Sequence, residues 1–182
     1  YPGDTVRGEE DISSATGITN SFGVPSKHPD VWRDDVSRAL RVMNKGNLLI
    51  LSFMGTKKES MSRDEYIENF ADTLKLAKQT GAPILEVNFS CPNVGKEGLI
   101  CNDMQTSRDI LETLRKEKGN TPLLVKIGYF TKEQQKDLEG LLEAIHTNAE
   151  GVVAINTIQA KVVDNKGEQL LPGSPVRIMS GI

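Results

Sequence analysis

The chain has 182 residues, 37% of them hydrophobic and 26% charged, with a formal net charge of -3, the composition of an ordinary globular domain able to bury a sizeable core. Its longest basic clusters are "KK" at 57–58 and "RKEK" at 115–118, and its longest apolar run is "LLIL" at 48–51, so neither a nucleic-acid footprint nor a membrane span of about 18 apolar residues is written here. Two cysteines, Cys91 and Cys101, supply neither a disulfide framework nor a four-ligand metal set, and the reading is a cytoplasmic, reduced protein without metal.

In chain order, "GITNSFGVPS" (17–26) leads into "PDVWRDDVSRALRVMNKG" (29–46), an amphipathic helix. "NLLILSF" (47–53) is a short apolar run, followed by a helix over 62–81 with Tyr66, Ile67, Phe70, Leu74 and Ala77 at helical spacing. Ser62 and Glu65 form a capping box at its start, and Gly81 closes it. "APILEVNF" (82–89) is the next strand, and a loop containing "SCPN" separates it from a helix over 103–119 with Ile110, Leu111 and Leu114 on one face. "PLLVKI" (122–127) precedes a helix over 131–148, opened by Thr131 and Gln134, that turns Leu138, Leu141, Leu142 and Ile145 inward. "GVVAIN" (151–156) is the last strand of the series. Beyond 158 the alternation breaks, and the "DNKG" turn at 164–167 predicts a β-hairpin inserted in a βα loop.

Strands that read as continuous apolar runs are buried on both faces, and regular strand–helix alternation implies parallel strands with right-handed crossovers. The pattern predicts one α/β domain over 1–182, either a (β/α) barrel or an open doubly wound sheet. In both, chemistry gathers at the carboxyl ends of the strands. Those ends carry Asn20, Ser52, Asn88, Lys126 and Asn156, with Thr157 next. An amide presents an acceptor and two donors, which suits a planar ligand whose edge alternates carbonyl and N–H groups. A lysine behind Leu-Leu-Val is seldom left without a counter-charge, which points to an anionic or reducible cofactor. Cys91, on a loop before Pro92, is a candidate base, whereas Cys101 reads as structural. His28 and His146 read as exposed, and no C-x-x-C zinc pattern or Ser-His-Asp set is present.

"NSFGVPS" (20–26), "EVNFSCPNVGKEG" (86–98), "PLLVKIGYF" (122–130) and "VVAINTI" (152–158) together resemble the dihydroorotate dehydrogenases, nearest to their soluble, cysteine-using class. The resemblance covers essentially the whole chain. It implies an FMN-bearing (β/α)8 barrel that oxidises dihydroorotate to orotate in pyrimidine biosynthesis. Carried over by position, Cys91 resembles the base that removes the C5 proton as hydride passes from C6 to FMN. Asn20, Asn88, Asn93 and Asn156, with Phe22, Gly23 and Val24, are similar to the substrate-holding residues, and Lys126 to the lysine beside the flavin. Ser52, Asn88, Ser180 and Gly181 resemble flavin contacts, and Thr157 a further contact. The resemblance also implies a homodimer, with electrons passed to fumarate or to NAD through a partner subunit.

A full barrel takes about 250 residues. This chain supplies some five βα units, and it has no match to the family's upstream lysine or its phosphate-binding glycine loops. The expectation is therefore a core piece lacking both ends of a longer barrel. "KEGLIC" (96–101) is also faintly like the dihydropyrimidine dehydrogenases, which use a related FMN barrel. A related flavin-barrel reductase is thus one alternative, and a non-catalytic relative that binds a nucleobase is another.

Overall fold

The computed structural model describes residues 5–7, 26–90, 100–170 and 179–181. These fall into two compact units, one built from 26–156 and the other from the segments before and after it. In chain order the elements are β1 (Thr5–Arg7), α1 (Pro29–Val42), β2 (Ile50–Phe53), α2 (Arg63–Lys78) and β3 (Ile84–Asn88). They continue with a 3-10 turn (Ile100–Asn102), α3 (Met104–Lys118), β4 (Leu123–Lys126), a second 3-10 turn (Lys132–Gln134) and α4 (Gln135–Asn148). Last come β5 (Gly151–Val153), β6 (Gln159–Val163) and β7 (Met179–Gly181).

The unit over 26–156 is a four-stranded, all-parallel sheet in the order β2-β3-β4-β5. Each strand lies beside its neighbour in sequence, and the order never reverses. A doubly wound sheet has a reversal point and helices on both faces, so this arrangement is an arc of a (β/α) barrel. The register places Leu51, Leu85 and Leu123 in one row and Phe53, Val87 and Val125 in another. Because alternate residues share a face, both rows point to the same side, where Leu85, Val87, Leu123 and Val125 are completely buried. Phe70, Leu74, Ile110, Leu111, Leu114 and Leu141 from the helices join them in one core.

The helix boundaries follow from local chemistry. Ser62 accepts from the Glu65 N–H while Glu65 accepts from the Ser62 N–H at 2.7 Å, completing the capping box on α2. Asp103 caps α3 by accepting from Thr106 N–H at 3.0 Å. Gln134 closes the other half-box by accepting from Thr131 N–H at 3.0 Å. Gly81 (φ 78°) ends α2 in the left-handed region that side chains with a Cβ avoid. The expected helix over 29–46 stops at Val42, because Asn44–Gly46 form a turn with Gly46 at φ 99°. No residue of α1 is fully buried. Leu142, expected inward, is 39% exposed, since the sheet-facing positions of α4 are taken by Leu141, Ala144 and Ile145. Ile67 is half-buried at the rim of the core.

A ladder of aromatic rings fixes α2 on the sheet. Tyr66 meets Phe70 edge-on at 5.3 Å, and Phe70 meets Phe89 at 5.9 Å. Gly55 leaves room for this ladder: a Cβ there would sit 2.5 Å from the Phe70 ring. Along the outer layer, Arg63 of α2 pairs with Asp109 of α3 and donates to Thr106 at 3.3 Å.

At the amino ends of the strands, every polar group named here closes on the protein itself. Lys118 Nζ donates to Glu150 Oε1 at 2.6 Å, and Glu150 Oε2 accepts from Leu123 N–H at 2.7 Å. Thr80 Oγ1 donates to Ala77 C=O at 2.7 Å and accepts from Ala82 N–H at 3.2 Å. The first pair ties α3, β4 and the start of β5 at one end of the sheet, and the second ties the end of α2 to the approach to β3.

In the second unit β6 is central, parallel to β1 and antiparallel to β7. The turn expected from "DNKG" is present: Asp164 Oδ1 accepts from Lys166 and Glu168 N–H, both at 2.8 Å, and Gly167 has φ 82°. Val163 then pairs antiparallel with Gln169. The strand expected at "GITN" lies outside the described residues. Among the described residues no helix is long and apolar enough to cross a membrane, and no three His, Cys, Asp or Glu side chains cluster as metal ligands.

Candidate active site

The face of the parallel sheet opposite the helices carries the polar residues. Ser52 pairs with Glu86 in register, and Asn88 pairs with Lys126 at the carboxyl ends of β3 and β4. In-register residues of parallel strands point to the same side, so the Asn88 amide and the Lys126 stem leave the sheet together. Both are half-buried. No described residue gives the Lys126 ammonium a hydrogen bond or an ion pair, so among the described residues a cation stands beside the Asn88 amide without a counter-ion.

Ser52 Oγ donates to Glu86 Oε1 at 2.7 Å, two residues nearer the amino ends than Asn88 and Lys126. Glu86 was not among the residues singled out from sequence. Its signal was there: in "ILEVN" the glutamate and the asparagine are two apart, so alternation puts both on one face.

The carboxyl ends are laced together by Ser90, which is only 2% exposed. Asn88 Oδ1 accepts from Ser90 N–H at 2.9 Å and from Ser90 Oγ at 2.8 Å. Asn156 Nδ2 donates to Ser90 C=O at 2.9 Å, and Asn156 N–H donates to Ile127 C=O at 3.1 Å. Asn156, two residues beyond the β5 loop's start at Ala154, is thereby tied to the ends of both β3 and β4. On the far side of the loop, Cys101 N–H donates to Phe89 C=O at 3.2 Å, and Ser107 Oγ donates to Ile100 C=O at 2.9 Å. Both flanks of the segment 91–99 are therefore anchored at the end of β3.

Cys91 and Asn93 lie in that segment, outside the described residues, as do Asn20, Phe22, Gly23 and Val24. Thr157, exposed, and the β7 residues Ser180 and Gly181 belong to the other unit. Of the residues singled out from sequence, the structure brings Ser52, Asn88, Lys126 and Asn156 to one sheet and its loops. Cys101 is fully buried, as its structural reading requires. Burial pushes its thiol pKa up, against the opposing hydrogen bonds from the backbone of Gly128 and of Cys101 itself, so it stays a protonated thiol near neutrality.

An oriented amide beside a cation without a described counter-ion can hold a planar, electron-rich ring and stabilise negative charge on it. The donor set fits the edge of a flavin or a pyrimidine.

Comparison with known proteins bears on which ring. The family described as dihydroorotate dehydrogenase matches residues 10–173. A protein of Dictyostelium discoideum named dihydroorotate dehydrogenase is 35% identical over 170 residues, covering 91% of this chain and 44% of that protein. The catalytic subunit of dihydroorotate dehydrogenase B (NAD(+)) from Endomicrobium trichonymphae is 30% identical over 151 residues, covering 82% of this chain and 44% of that one. The same subunit from Carboxydothermus hydrogenoformans is 27% identical over 167 residues, covering 91% and 50%. The chain thus spans about half the length of the curated relatives it matches.

Proposed function

The chain belongs to the dihydroorotate dehydrogenase family, and on that premise we propose that the protein oxidises dihydroorotate to orotate with FMN as its flavin. The observation that carries this reading is the pairing of Asn88 with Lys126 at adjacent strand ends. When bound, the flavin supplies a two-electron acceptor for the hydride that leaves C6 of the substrate. Lys126 would hold its ammonium against the electron-rich edge of that ring, with Asn88 beside it. Asn88, Asn93 and Asn156 hold the pyrimidine through its alternating carbonyl and N–H groups.

Cys91, as thiolate, takes the C5 proton. The C5–H electron pair becomes the second bond between C5 and C6 as the C6 hydrogen departs with its own pair. A thiol is suited to this work because its ordinary pKa, near 8.5, lies close to physiological pH. Cys91 follows Ser90 directly, and Ser90 is held by Asn88 and Asn156. The base is thus attached to the residues that hold the ring. Ser52, bonded to Glu86, lies two residues further from the strand ends and supports that floor.

For the electrons' onward path, the named relatives from Endomicrobium and Carboxydothermus support NAD reached through a partner subunit. Direct transfer to fumarate is the competing route. Turnover of the full-length protein tests all of this. Dihydroorotate, and not dihydrouracil, should yield product, with the orotate absorbance growing in step with reduction of the true acceptor. Preference for dihydrouracil would move the protein to the dihydropyrimidine-type alternative, and no turnover of either would favour a non-catalytic, nucleobase-binding relative.

A further inference from the structure

We propose that Ser90 is a positioning residue that fixes which way the Asn88 amide faces, and so sets the donor pattern shown to the ligand. The inference rests on the functional reading above and deepens it. Three hydrogen bonds converge on Ser90, and two of them decide an orientation without ambiguity. A backbone N–H can only donate, so the Asn88 atom 2.9 Å from Ser90 N is the oxygen and not the nitrogen. The Ser90 hydroxyl reaches that same oxygen at 2.8 Å. With Oδ1 held twice, the Nδ2 group faces the other way, and no described residue accepts from it. Asn88 therefore meets a ligand as a double donor, the partner of a ring carbonyl.

The second amide is oriented by the same residue with the opposite sense. Ser90 C=O can only accept, so the Asn156 atom 2.9 Å from it is the nitrogen. One buried serine thus sets two amides, Asn88 two residues before it and Asn156 66 positions after it, one by its N–H and hydroxyl and the other by its carbonyl. A side-chain bond from Asn to an N–H two residues on is a common turn device by itself. The hydroxyl bond to the same oxygen adds something that a turn does not need. A turn closes with the N–H alone; that N–H opposes a flip, since Nδ2 would then face a donor, and the hydroxyl adds a second tether that holds the amide oxygen in place.

The test measures orotate affinity of the full-length holoprotein from the shift it causes in the flavin absorbance. Ser90→Ala removes the hydroxyl and keeps both backbone bonds. It should weaken orotate binding about fivefold, the loss of one hydrogen bond. In an Asn88→Ala background the same change should have an effect of less than about twofold, because Ser90 acts through Asn88. Equal losses in the two backgrounds would overturn the proposal, since they would mark Ser90 as a general structural residue. Asn88→Asp gives an arm that does not depend on how Ser90→Ala folds. It keeps both bonds accepted from Ser90 but loses both donors, so orotate binding should fall at least about thirtyfold while the melting temperature holds. Wild-type affinity in Asn88→Asp would overturn the proposal. If the wild-type protein shows no flavin shift with orotate, the functional reading falls and this inference with it. A normal wild-type shift with unaltered variants sinks the inference alone.

Discussion

At the amino ends of the parallel strands Lys118 meets Glu150, and Glu150 takes the Leu123 N–H with its other oxygen. At the carboxyl ends Lys126 stands next to Asn88 and finds no such carboxylate among the described residues. Two lysines, one ending α3 and one ending β4, thus serve different ends. The first is clamped, and its bonds hold helices to strands. The second stands beside an oriented amide, with no such clamp among the described residues. In a fold of this type the division is expected, because the strand–helix loops at the carboxyl ends can vary without disturbing the core.

Changes at one end should therefore alter chemistry and spare stability, and changes at the other should do the reverse. The largest effect belongs to Cys91→Ser. Flavin reduction by dihydroorotate should slow at least about a hundredfold, because a hydroxyl is a far weaker base than a thiolate. Thermal unfolding should be unchanged, and an unaltered reductive half-reaction would remove Cys91 from the mechanism.

Glu150→Ala should act in the opposite sense, lowering unfolding free energy by about 1–2 kcal/mol and leaving orotate affinity within about twofold. It strands the Lys118 ammonium, 9% exposed, and the Leu123 N–H. The loss stays below that of a fully buried pair because the Glu150 side chain is 47% exposed. The same clamp has a pH signature. Burial pushes the Glu150 carboxyl up, but the Lys118 and Leu123 hydrogen bonds outweigh it and hold the carboxyl below its ordinary value of 4.5. A lowered folded-state pKa gives a contribution that is complete above that ordinary value and is lost as pH falls through the folded one. Melting temperatures of wild type and Glu150→Gln should converge on acidification below the ordinary carboxylate range; a gap that stays constant there would show the clamp is not electrostatic.

The smallest effect expected is that of Asn156→Ala, which should weaken orotate binding by about 1 kcal/mol or slightly more, as calorimetry or the flavin shift would record. Because Asn156 also donates to Ser90 C=O, a loss of stability without a loss of affinity would move it from the chemical end of the comparison to the structural one.

Much of this was legible in the sequence because it is local. Apolar runs located β2, β3, β4 and β5 to within about three residues, and the Ser62–Glu65 box and the Asp164–Gly167 turn followed from spacing. The polar strand ends could be read once the strands were placed. What the residues alone left open was strand order, since a barrel and a doubly wound sheet share the same alternation, and only the unreversed order with one helical face separates them. The bond between Ser90 and Asn156 was not legible, because it spans 66 positions and no local pattern encodes it. Leu142 shows the limit of periodicity: two adjacent leucines cannot both face the sheet, and Leu141 does.

The most direct measurement is the flavin absorbance of the full-length protein, mixed anaerobically with dihydroorotate. The account predicts that the protein carries FMN and that its visible absorbance bleaches as orotate forms, one equivalent per flavin. A protein that carries FMN and stays oxidised with saturating dihydroorotate would contradict it.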